Sequence, residues 1–127
     1  MNARRALIVA ATLGMLAVLA GAFGAHGLAA HVDERALGWW KTASTYQLSH
    51  AIILTVLALS DRLARPMVKR AFALFVMGVC IFSGTLYAMT LGAPLWFGML
   101  TPLGGLSLIL GWACLAAEGY QRPDTDA

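Results

Sequence analysis

Charge is what this sequence has least of. Only 12% of its 127 residues are charged, about half the share of a typical soluble domain. A soluble chain this short needs a polar skin larger than its core, because surface dominates volume at this size. With 60% of residues hydrophobic, that skin is not available, and lipid is the solvent the composition calls for. Cysteine is nearly absent: Cys80 and Cys114 sit singly inside apolar runs, which excludes a disulfide framework or a cysteine-based metal motif. The net charge of +3 comes without any basic run interleaved with aromatics, so a nucleic-acid surface is excluded as well. No aspartate or glutamate interrupts the apolar stretches, and Ser83 has no evident acid partner. An enzyme is not expected.

Long apolar runs, by contrast, are abundant. Four of them are sufficient to cross the hydrocarbon, which takes roughly 20 helical residues: about 6–25, 43–60, 71–91 and 95–117. The alternation expected of a membrane β-barrel is missing. The first run follows Arg4 and Arg5 and contains Ala20-Gly21-Ala22, two features of a signal peptide, but its apolar stretch is longer than a typical signal core. It reads as a retained span. The expected fold is therefore all-α: one integral membrane domain over 1–127, an up-down-up-down bundle of four transmembrane helices joined by short loops.

Basic residues set the orientation. Arg4, Arg5, Arg62, Arg65, Lys69, Arg70 and Arg122 fall on one side, Arg35 and Lys41 on the other. Both termini are expected on the cytoplasmic side of a plasma (inner) membrane. Thr101-Pro102 has the pattern of a helix N-cap followed by proline at the first helical position. That would leave Leu95 to Leu100, with Trp96 and Phe97, as an interfacial segment anchored by aromatics. Pro66 is expected in the basic loop, and Asp33 to Trp40 at the start of a short surface helix before the second span.

Lipid provides little hydrophobic force between helices, so their approach depends on small residues. Ala10, Gly14, Ala17, Gly21 and Gly24 recur at steps of four and three along the first span. Gly104, Ser107, Gly111 and Cys114 do so along the last, and Gly78, Ser83 and Gly84 add to the third. Gly14, Gly21, Gly24, Gly84, Gly104 and Gly111 are the expected packing positions.

Several motifs run through these spans: Gly21-Ala22-Phe23-Gly24-Ala25-His26-Gly27-Leu28; Trp39, Thr42, Tyr46-Gln47 and His50; Phe82-Ser83-Gly84-Thr85-Leu86-Tyr87; Thr101-Pro102-Leu103-Gly104-Gly105; and Gly111-Trp112. In this order and over nearly the whole chain, the sequence resembles the YgdD/YwdK-like family of small four-helix inner-membrane proteins, which has mitochondrial relatives. Thr85 departs from the more usual serine but keeps the hydroxyl. The resemblance implies the four-helix fold and, since the family is one of unknown function, no reaction.

Within those motifs, Thr42, Tyr46 and His50 are spaced by four along one helix face, with Gln47 beside them. Ser83 and Tyr87 share a face in the same way, and Thr90 lies a turn further on. His26 ends the first span and Thr101 opens the fourth. A candidate polar cluster of His26, Thr42, Tyr46, Gln47, His50, Ser83, Tyr87 and Thr101 is thus expected in the outer half of the bundle, because polar groups in lipid are costly unless paired or facing a cavity. Neither cofactor nor metal is expected. His26 and His50 lie at different depths for a shared haem, and His26, His31, Asp33 and Glu34 match no zinc spacing. The expected role is a structural or accessory membrane component, as a homo-oligomer or within a larger complex. The alternative is small-solute binding or transport through the polar cluster.

Overall fold

The computed structural model describes residues 2–121, and Arg122 lies outside them. Helix α1 (Ala3–Phe23) is capped by Asn2, whose side chain accepts the Arg5 amide. It runs on into a single π-helical turn, Gly24–Leu28. Helix α2 (Glu34–Leu59) starts at Asp33, which accepts the Ala36 amide in the same way. A 3₁₀ turn over Asp61–Ala64 leads to α3 (Pro66–Thr90), and a second one over Leu95–Met99 leads to α4 (Thr101–Tyr120).

Four continuous helical stretches of 25 or 26 residues are long and apolar enough to span a membrane, each roughly 38 Å at 1.5 Å per residue. Among the described residues there is no strand. The architecture is all-α, with consecutive helices antiparallel and the start of α1 and the end of α4 at one end of the bundle. Substantial packing is confined to helices that follow one another in the chain: α1 on α2, α2 on α3, α3 on α4. The core connects Ala6 and Ala10 of α1, Leu54 and Ala58 of α2, Phe72, Phe75 and Val79 of α3, and Leu108 of α4.

Local boundaries differ from the sequence reading in three places, each for a physical reason. There is no separate surface helix before the second span, because the Asp33 cap starts α2 and the turn containing Trp39 and Trp40 continues it without a break. Pro66 is not in a loop but occupies the first position of α3, where a missing N–H costs nothing. Thr101 does not cap α4. It is the first helical residue, Leu100 is the cap, and the threonine hydroxyl is engaged with Thr85 instead. The aromatic segment before α4 does appear, as the exposed or half-exposed 3₁₀ turn carrying Trp96 and Phe97.

Helix α3 stops at a Schellman motif. The Ala93 amide reaches the Ala88 carbonyl at 2.9 Å and the Gly92 amide reaches Met89 at 3.2 Å. Gly92 takes φ of 102°, a conformation that suits glycine.

Candidate functional site

The inward row of α2 is Trp40, Ala43, Gln47, His50, Ala51, Leu54 and Ala58. Apart from the adjacent pair His50–Ala51, its steps of three and four keep it on one side of the helix, and its polar members face two different neighbours. On the side of α1, Gln47 is held from both ends. Its Nε2 donates to the Leu13 carbonyl at 2.9 Å, and its Oε1 accepts the Tyr87 hydroxyl at 3.0 Å. The indole N–H of Trp40 donates to the Ala20 carbonyl at 2.7 Å, and its ring lies 4.6 Å from that of Tyr87. Ser83 donates to the Ala43 carbonyl at 2.8 Å, and Thr90 donates to Ala36 of α2 and Leu86 of its own helix. Gln47, Ser83, Tyr87 and Trp40 line a groove of about 350 Å³ between α1 and α3.

A second set ties α3 to α4. Thr85 and Thr101 share a hydrogen bond of 2.8 Å, and Ser107 donates to the Leu74 carbonyl at 2.8 Å. Such interhelical bonds average about 0.6 kcal/mol in a membrane protein and reach about 1.7. Outside the spans, Arg65 pairs with Glu118, joining the turn before α3 to the end of α4.

His50 belongs to neither set. Its Nδ1–H donates to the Tyr46 carbonyl one turn back at 2.8 Å. Its Nε2 is the one buried side-chain nitrogen or oxygen among the described residues with no partner. The ring is 7% exposed and boxed by Phe75 of α3 and Trp112 of α4, at centroid distances of 5.4 and 6.4 Å, with Tyr46 stacked at 6.1 Å. His50, Phe75 and Trp112 stand nine, nine and eight residues from the ends of their helices on the side where α1 starts. That is roughly 12–14 Å, near the middle of a bilayer.

The expected single cluster is therefore three separate arrangements. Gln47, Ser83 and Tyr87 come together, Thr101 joins Thr85 at the α3–α4 seam, and His50 sits alone among aromatics. His26 and Thr42 are exposed, and Tyr46 is 44% exposed. An i, i+4 row drifts by about 40° per step around a helix, so Thr42 and Tyr46 rotate off the buried face on which His50 lies. Trp40, Thr85, Thr90 and Ser107 complete the interhelical bonding and were not among the cluster residues expected from sequence. Of these, Trp40 carried a readable signal, the step of seven to Gln47.

The glycines also divide. A Cβ on Gly104 would collide with the Phe82 backbone, one on Gly111 would lie 2.7 Å from the Phe75 ring, and one on Gly24 would lie 2.5 Å from Trp40. Gly14 is in ordinary contact with Ala51, while Gly21 and Gly84 have nothing within 4 Å and lie exposed. They are not packing positions within the chain: Gly21 turns off the face shared by buried Ala17 and Gly24, and Gly84 lies about 100° around the helix from buried Ser83.

Fold and polar groups together define a small helical membrane protein crossing the bilayer four times, its spans fastened by side-chain hydrogen bonds to backbone carbonyls and to one another. The chain belongs to the family described as "Protein of unknown function (DUF423)", whose model matches residues 20–105. It is 39% identical to the UPF0382 membrane protein YwdK of Bacillus subtilis, with 91% of this chain and 95% of that protein covered. A UPF0382 membrane protein of Staphylococcus aureus is 37% identical over 91% of this chain and 94% of its own. One from Schizosaccharomyces pombe is 40% identical over 84% and 94%. No solved structure matches.

Proposed function

We propose that this protein is a structural or accessory component of the membrane, acting through its helical surfaces rather than through a reaction. The observation that carries this reading is the commitment of Gln47, Tyr87, Ser83, Thr90, Thr85, Thr101 and Ser107 to bonds within or between its own helices. The outer faces of α1 and α4 support it. They present Met15, Leu16, Val18, Leu19 and, on α4, Leu103, Leu106, Ile109 and Leu110, and neither helix is packed along its other side by a chain neighbour. Such faces suit further helices, from a second copy or a larger complex. The location that fits the charge distribution is the plasma (inner) membrane with both termini in the cytoplasm. The test is crosslinking in the native membrane followed by purification in mild detergent. Stoichiometric self-association or a constant partner set is expected; a strictly monomeric protein that copurifies with a small solute would overturn the reading.

The groove beside Gln47 and Tyr87 favours the second reading, small-solute binding or transport. Under it, Gln47→Leu abolishes solute flux in vesicles while the protein stays folded. Under the first reading, the same substitution lowers stability and no flux exists to lose.

A further inference from the structure

At the end of the bundle where α1 starts and α4 ends, two cavities meet at one residue. The first, about 490 Å³, is an apolar groove between α1 and α3 lined by Val9, Phe72, Ala73, Val76 and Met77, with Lys69 at its head. The second, about 360 Å³, lies beyond it and is lined by Asn2, Ser60, Asp61 and the same Lys69, among others. Its walls come from the start of α1, the turn after α2 and the first turn of α3. Lys69 and Asp61 make no ion pair among the described residues, although Arg65 nearby does. Asn2 and Ser60 use their side-chain oxygens to accept the amides of Arg5 and Arg62. The Asn2 amide protons and the Ser60 hydroxyl proton are therefore free to donate.

Lys69 joins a hydrocarbon-lined groove to a cavity that holds neutral donors and a carboxylate. We infer that this cleft binds an aminophospholipid. One acyl chain lies along Val9, Phe72, Val76 and Met77, the phosphate meets Lys69, Asn2 and Ser60, and the terminal ammonium meets Asp61. Basic sites between spans attract phospholipid head groups, and a carboxylate in the same cavity as the cation selects a head group that carries its own ammonium. A primary ammonium donates charge-assisted hydrogen bonds to Asp61. A choline head group has no N–H to donate, and a glycerol head group has no positive charge. The inference is independent of whether the outer faces recruit other helices.

The test is native mass spectrometry of the detergent-solubilised full chain with equal amounts of phosphatidylethanolamine, phosphatidylcholine and phosphatidylglycerol of one acyl composition. Retention of phosphatidylethanolamine above the other two is expected. Lys69→Gln should weaken retention of all three, by about fivefold for the loss of one lysine–phosphate contact. Asp61→Asn should leave phosphatidylglycerol bound as well or better while removing the preference for phosphatidylethanolamine. Both positions are exposed and outside the core, so thermal melting is expected to match the parent and certifies the comparison. Equal retention of the three lipids by the parent protein, or a preference that survives Asp61→Asn, would overturn the inference.

Discussion

The Tyr87 hydroxyl of α3 donates to the Gln47 side chain of α2, whose other end holds a carbonyl of α1. One amide thus fastens three helices at membrane depth. Replacing Gln47 with leucine breaks both bonds, and Tyr87→Phe breaks one. Expected losses of stability are about 1–2 and about 0.6 kcal/mol, on the scale of interhelical bonds in membranes. The double variant should lose less than the sum, since the two share a bond. Reversible unfolding in mixed micelles measures all three; strict additivity would mean that the bond contributes nothing.

Gly104 faces backbone where Gly84 faces open space. Gly104→Ala should therefore force α3 and α4 apart and cost about 1–3 kcal/mol, as overpacking does. Gly84→Ala should be neutral or stabilising by up to about 1 kcal/mol, through helix propensity alone. Comparable losses at both positions would contradict the described α3–α4 seam.

Trp40 occupies the space that Gly24 leaves open and bonds the Ala20 carbonyl. Trp40→Phe keeps a ring and loses the donor, so a modest loss of about 0.6–1.7 kcal/mol is expected. Gly24→Ala evicts the indole and should cost more. Tryptophan fluorescence reports the eviction directly: a shifted emission in Gly24→Ala with an unshifted one in Gly84→Ala.

His50 behaves oppositely to Gln47. An unpaired buried acceptor costs about 1–3 kcal/mol, so His50→Leu should leave stability unchanged or raise it. A large loss of stability in that variant would show that Nε2 has a partner in the membrane, and the search for it would begin among molecules dissolved in lipid.

The four spans were legible because lipid requires long uninterrupted apolar helices, and nothing in residues 6–25 or 71–91 opposes that requirement. Gln47, Ser83 and Tyr87 were legible as a group because few polar side chains survive at that depth without pairing. The facing of Tyr46, Thr42, Gly21 and Gly84 was not. In water, polarity tells the outside of a helix from the inside, but in lipid both sides are apolar and small residues mark either. The capping role assigned to Thr101 failed because a neighbouring hydroxyl, Thr85, outcompeted the helix amides, a tertiary partner invisible in the local pattern.

The serial packing of α1 on α2, α2 on α3 and α3 on α4 bears on how the chain is made. Every helix meets its main mate within one loop of leaving the ribosome, so assembly in the bilayer can proceed hairpin by hairpin, with the contact of Trp112 on His50 among the last to form. Low sequence separation between partners favours fast folding, and a chain halted after α2 already holds the α1 pairing it will keep.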